Sequence, residues 1–135
     1  MATFLRFSAV ARGSPSNPVP EYFRQTARIG FRTWRESDLD LAVALWGNPD
    51  VTRFIDARGR LSREDVARRL AEEIRIEAES GVQYWPIFLL ASGEHIGCCG
   101  LKPRHPAHRI YELGTQIRPP LWQQGLAEEA ARALR

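Results

Sequence analysis

The chain has 135 residues, the size of one ordinary domain, and 44% of them are hydrophobic, including four tryptophans, which is enough apolar surface for a core. Charged residues make up 26% with opposite signs interspersed; a formal net charge of +3 does not call for nucleic acid, though local arginines can still concentrate an anionic ligand. Arg, Glu or Asp interrupts every apolar run before the ~20 residues of a membrane-spanning helix, so a soluble protein with no membrane partner is expected.

The first twenty residues carry Arg6 and Arg12, lack acids and end in a Ser/Pro/Asn cluster. Their apolar stretch is too short and interrupted for secretion, so residues 1–24 read as a disordered leader or a misassigned start, with one domain over 25–135. Thr26 to Trp34 alternates well enough for a first strand, with Gly30 as a weak point. Ser37 then stands as an N-cap before Asp38-Leu39-Asp40, which puts acids in the first turn, and Leu39, Val43 and Trp46 follow at helical spacing until Gly47 and Pro49. Asn48-Pro49-Asp50 opens a connecting segment through Val51 and Phe54. Ser62 caps a second helix with Val66, Leu70 and Ile74 on one face, closed by Gly81.

Trp85–Ala91 and His95–Leu101 read as a hairpin around Ser92-Gly93-Glu94, with Pro86 assigned to an edge or unpaired position. Cys98 and Cys99 are strand neighbours whose side chains point to opposite faces; a disulfide between them would be strained, which suits a reducing, cytoplasmic setting. A loop over 102–108 leads to a strand over 109–118, ended by Pro119-Pro120, and a helix starts near Gly125 with Leu126, Ala130, Ala133 and Leu134 on one side. This order specifies an α+β (mixed α/β) domain around one sheet whose faces are covered by helices.

A strand that runs through a short loop into a helix aims unpaired N–H groups and the positive end of the helix dipole at one point, where phosphate binds. In Gln123-Gln124-Gly125-Leu126-Ala127, the glycine permits close backbone approach and the alanine keeps the first turn small, so a pyrophosphate fits on the exposed amides. The segment is neither a Walker loop nor a dinucleotide fingerprint, and an ordinary strand-to-helix turn has the same pattern.

From Thr26 onward the chain resembles the GNAT acetyltransferases, in the branch similar to ribosomal-protein N-terminal acetyltransferases. The matching words are Thr26-Ala27-Arg28-Ile29-Gly30-Phe31-Arg32-Thr33-Trp34 with Ser37-Asp38, Asn48-Pro49-Asp50-Val51, Ile96-Gly97-Cys98-Cys99-Gly100-Leu101, Tyr111-Glu112-Leu113-Gly114, and Arg118 through Ala130. The resemblance implies a mostly antiparallel central sheet flanked by helices. It also implies acetyl-CoA as cosubstrate, with its pyrophosphate on Gln123, Gln124, Gly125, Leu126 and Ala127, and backbone groups of Ile117 and Arg118 on its pantetheine arm and thioester carbonyl. Gln123 departs from the branch, which usually has glycine there. In the family a further strand and a tyrosine acid follow this helix; the chain ends at Arg135 before either, so the C-terminal part of the fold is expected to be missing.

The implied reaction is direct attack of a primary amine on the thioester. A lysine-like amine, with a reference pKa of ~10.4, must first lose a proton. Glu112 is the candidate base; its alternative is an exposed carboxylate paired with Arg109 or Arg32. Trp122 reads as a loop-packing residue, and Glu128 and Glu129 as solvated first-turn acids facing away from the cradle. His105 and His108 do not make a metal site, because prolines exclude a helical pair and no third ligand lies at fixed spacing. Arg104, His105, His108 and Arg109 form a basic loop that either meets the adenosine phosphate or an acidic substrate, or is simply solvated. Acetyl-CoA and an amine acceptor, a protein N-terminus or a small amine, are thus the expected partners, with a homo-oligomer or completing chain as further partners. The competing expectation is an inactive truncated remnant or interaction module with residual CoA binding.

Overall fold

In the computed structural model, which describes residues 22–53, 56–105, 107 and 109–135, one antiparallel sheet is built in chain order from β1 (Arg24–Gln25), β2 (Ile29–Phe31), β3 (Tyr84–Leu89), β4 (His95–His105) and β5 (Ile110–Ile117). Most of the stretch read as a leader, residues 1–21, lies outside the described residues. The strand expected over Thr26–Trp34 divides into a small hairpin. The Thr26 hydroxyl accepts the Ile29 N–H at 3.0 Å and the Thr26 N–H reaches the Ile29 carbonyl at 2.8 Å, turning the chain where continuous strand was expected.

Helices α1 (Leu39–Trp46), α2 (Pro49–Thr52) and α3 (Arg63–Ser80) separate β2 from β3, and α4 (Leu126–Ala133) follows β5. The ends of α3 are set as its sequence demands: Ser62 and Asp65 exchange side-chain to backbone hydrogen bonds, and Gly81 closes the helix at a left-handed φ of 82°. The start of α1 differs from expectation. A short 3-10 turn over Glu36–Asp38 precedes it, because Asp38 is buried and its carboxylate takes two bonds from Arg32, at 2.8 and 3.0 Å, and one from the Arg35 N–H. Ser37 is therefore not the cap of α1, whose N-cap position falls on Asp38, itself tethered by Arg32. Asn48-Pro49-Asp50 also makes more than a connection: the Asn48 side chain accepts the Asp50 N–H at 2.9 Å and Pro49 starts α2.

The period-2 alternation of the strands sorts side chains into two cores, one per sheet face. Trp34, Ala42, Leu45, Trp46, Val66, Leu70, Tyr84 and Cys98 form one with α1 and α3. Ile29, Phe31, Trp85, Ile87, Ile96, Cys99, Ile117, Leu126 and Ala130 form the other with α4. The adjacent cysteines thus enter different cores, and both are free thiols. Pro86 lies in the middle strand and not at an edge; it stands opposite Cys98, and its carbonyl accepts the Arg32 N–H at 3.3 Å just past the end of β2. The N–H that proline lacks would have answered the Arg32 carbonyl in that pair, so one bond of the last rung is lost where β2 ends. The segment expected as a loop over 102–108 is largely strand, since β4 continues to His105.

Candidate active site

The outer edge of β5 and the turn into α4 make one continuous surface. Arg118 N–H bonds the Ile96 carbonyl at 2.9 Å, so in an antiparallel ladder the alternate residues Ile117, Thr115 and Leu113 point their backbone groups away from β4. Among the described residues no strand pairs with that edge. Past Ile117 the chain makes a 3-10 turn over Pro119–Leu121, and the Trp122 indole N–H reaches back to the Ile117 carbonyl at 2.6 Å, bracketing the loop. Trp122 accordingly acts as a loop fastener.

Two left-handed residues then flank Gln124: Gln123 at φ 65° and Gly125 at φ 77°. They fold the backbone into the N-terminus of α4, which has no side-chain cap and whose first helical bond is Glu129 N–H to the Gly125 carbonyl at 3.1 Å. The amides of Leu126, Ala127 and Glu128 therefore have no acceptor within the helix. Gln123, Gln124, Gly125 and Ala127 are exposed, whereas the Leu126 side chain is driven into the core beside Ala130 and fixes the helix on the sheet. The conformation of residue 123 also explains why glycine suits the position. A non-glycine residue there costs about 1–2 kcal/mol, partly offset by the ~0.5–1 kcal/mol of chain entropy that glycine loses on folding. Gln123→Gly should therefore stabilise the fold by up to about 1 kcal/mol in urea unfolding, and Gln123→Val should destabilise it; a stabilising valine would contradict the left-handed turn.

A side of this loop that spacing did not reveal comes from the β1–β2 turn. Arg28 donates from Nε to Glu129 Oε1 at 2.7 Å, from its backbone N–H to Glu129 Oε2 at 2.9 Å, and from Nη1 to the Gln124 carbonyl at 3.2 Å. The Thr26 hydroxyl adds a bond to Glu129 Oε2 at 2.5 Å. Burial works to raise the Glu129 carboxyl, but the bonds from Thr26 and Arg28 outweigh it and hold its pKa below the ordinary value. Glu129 is thus no solvated acid; only Glu128, exposed and paired with Arg132 at 2.7 Å, fits that description. A shallow cavity of about 430 Å³ opens here, lined by Thr26, Arg28, Gly125, Glu128, Glu129, Arg132 and Ala133.

Glu112 lies on the other face of β5, in line with Gly114 and Gln116 as alternation requires. Gly114 admits the Tyr84 ring, which would lie 2.8 Å from any Cβ added there, and Gln116 accepts the Trp46 indole N–H at 2.7 Å. The Glu112 side chain is half exposed and 3.8 Å from Arg104, a partner other than Arg109 or Arg32. Burial, with the nearby carboxylates of Glu112 and Glu73, pushes the Tyr84 phenol up to about 12. Glu73 is a second carboxylate of this face: it is buried, accepts the Tyr84 N–H at 2.9 Å, and burial raises its pKa. Its place seven residues after Val66 on the apolar stripe of α3 was the signal available in the sequence.

The basic turn is remote from the cradle. Arg104, His105 and Arg109 stand at the opposite end of β5 from Ile117, roughly 23 Å away at ~3.3 Å per strand residue. His108 lies outside the described residues, and among those described no group of three metal-binding side chains is assembled.

A family model described as the acetyltransferase (GNAT) domain matches residues 28–135. The chain belongs to the GNAT acetyltransferase family. This GNAT chain is 27% identical over 105 residues to the uncharacterised N-acetyltransferase YoaA of Bacillus subtilis strain 168, covering 78% of the chain and 59% of that protein. Among solved structures, a GNAT-family acetyltransferase from Bacillus anthracis superposes with a TM-score of 0.69 at 22% identity, over 82% of this chain and 62% of that one. RimL, a ribosomal alpha-N-protein acetyltransferase solved in complex with coenzyme A, gives 0.70 at 16% identity, over 84% and 65%. The chain spans about three fifths of the length of the curated relatives it matches. The mostly antiparallel sheet flanked by helices that the sequence led us to expect is the GNAT fold these neighbours share. Among the described residues no helix is long and apolar enough to cross a membrane.

Proposed function

We propose that the protein is an acetyl-CoA-dependent N-acetyltransferase whose acceptor is a primary amine, either a protein N-terminus or a small molecule. The observation that carries this reading is the turn from β5 into α4 within a GNAT domain, where Gln123 and Gly125 fold the chain into a helix start whose first-turn amides have neither a side-chain cap nor an acceptor within the helix. The cosubstrate supplies the acetyl group as a thioester. Amides of Gln124, Gly125, Leu126 and Ala127 hold its pyrophosphate, with Gln123 shaping the bend. The edge-facing N–H of Ile117 orients the pantetheine arm, its carbonyl being held by the Trp122 indole. Arg118 takes a supporting part, since its N–H is bonded to Ile96 and its carbonyl to the Leu121 N–H.

Glu112 receives the proton that the ammonium must shed before it can attack. It lies five residues before Ile117, roughly 16 Å along the strand at ~3.3 Å per residue, and half exposed it is open to an incoming amine. Titration of the protein with acetyl-CoA by calorimetry, followed by thiol-release assays over a panel of amines, should show binding and turnover; neither binding nor turnover would overturn the reading. Glu112→Gln should lower kcat about 100-fold with KM for acetyl-CoA unchanged. Unchanged kcat would leave Glu112 as a strand carboxylate paired with Arg104.

A further inference from the structure

The loop that bends around Gln124 is held from outside by a residue 96 positions earlier in the chain. The guanidinium of Arg28 bridges two groups: the Glu129 carboxylate through Nε at 2.7 Å and the Gln124 carbonyl through Nη1 at 3.2 Å. Its Nη2 stands 3.6 Å from where a Cβ on Gly125 would lie. Glu129 is itself fixed by the Thr26 hydroxyl and the Arg28 N–H, so the guanidinium has a set position. A peptide unit is planar and trans, and its N–H points opposite to its carbonyl. Turning the Gln124 carbonyl toward Arg28 therefore turns the Gly125 N–H away from it.

We propose that Arg28 is a positioning residue: through Glu129 and the Gln124 carbonyl it sets the direction in which the loop presents the Gly125 N–H to the cofactor's pyrophosphate. The inference rests on the reading of this loop as the pyrophosphate cradle. Lysine cannot replace arginine in this role, because one ammonium does not span the carboxylate and the carbonyl with a rigid fork.

The test compares Arg28→Ala, Arg28→Lys and Glu129→Gln with the wild-type chain, using two probes: acetyl-CoA, and acetyl-pantetheine, which lacks the pyrophosphate. Arg28→Ala should weaken acetyl-CoA binding about tenfold while leaving the affinity for acetyl-pantetheine unchanged, a split that general damage to the fold would not produce. Glu129→Gln and Arg28→Lys should weaken acetyl-CoA binding in the same sense. Equal acetyl-CoA affinity in wild type and Arg28→Ala, or equal losses for both probes, overturns the proposal. A wild type that binds no acetyl-CoA overturns the functional reading instead. In that event amide spectra of the free protein still decide the positioning role: Arg28→Ala should shift the Gly125 amide signal, and an unmoved signal refutes it.

Discussion

Trp46→Ala should cost about 4 kcal/mol of folding stability, among the largest losses any single substitution produces in this chain. The side chain is fully buried at the end of α1, with its ring 5.1 Å from that of Trp34 and the Arg69 guanidinium 4.4 Å over its face. Truncation empties the centre of the core under α1 and α3, and that core cannot collapse onto the gap because the sheet behind it is fixed by its ladder. The indole N–H also orients Gln116 on β5, whose carbonyl oxygen additionally accepts the Cys98 thiol at 3.3 Å. Trp46→Phe keeps a six-membered aromatic ring, loses the smaller pyrrole part and that bond, and should cost only about 1–2 kcal/mol. Urea unfolding of both variants checks the ratio; equal losses would mean that the hydrogen bond, and not the volume, dominates.

Between pH 6.5 and pH 4 the protein should lose about 3 kcal/mol more stability than its His95→Phe variant. His95 opens β4 at 4% exposure, against the rings of Trp34 and Phe88, and among the described residues neither ring nitrogen meets a partner at full hydrogen-bond geometry. Burial first, then the nearby Arg118 and Arg32, press the imidazole down to about 4, with the Gly97 backbone and Asp38 opposing. The sign follows from which state holds the proton. In the unfolded chain the imidazole binds it near pH 6.5, and in the folded chain only near pH 4, so acid in that window favours unfolding. The full stability is present above pH 6.5. Carboxylates titrating in the same range are common to both proteins, so the difference between the two pH profiles isolates His95. Parallel profiles would show that the ring is protonated as readily folded as unfolded.

The parts of this molecule that were legible in sequence are those whose causes are local. Ser62 and Gly81 punctuate α3 because a cap and a left-handed closure depend on neighbours within a turn. Gly125 marks the start of α4 for the same reason. Arg28 and Glu129, 101 residues apart, meet only because the β1–β2 turn and α4 pack on the same side of the sheet, which no periodicity encodes. Asp38 misled for a similar reason: beside Ser37 it reads as a helix-start acid, but Arg32 on the chain leaving β2 claims it. Pro86 reads as an edge residue by what proline lacks, whereas the structure places it in a middle strand with the missing donor at the last rung beside β2. In Gln123 the departure from glycine was visible, whereas the positive φ that gives it meaning was not.

The adjacent cysteines carry a consequence for watching this molecule open. Burial raises both thiols, Cys99 to about 11 and Cys98 further still, so neither presents a reactive thiolate while its surroundings are closed. One faces the chamber beneath α1 and α3, the other the chamber beneath α4. A thiol reagent applied to native protein therefore acts as a two-channel clock: the order in which the neighbours are labelled names the layer of helices that lifts first.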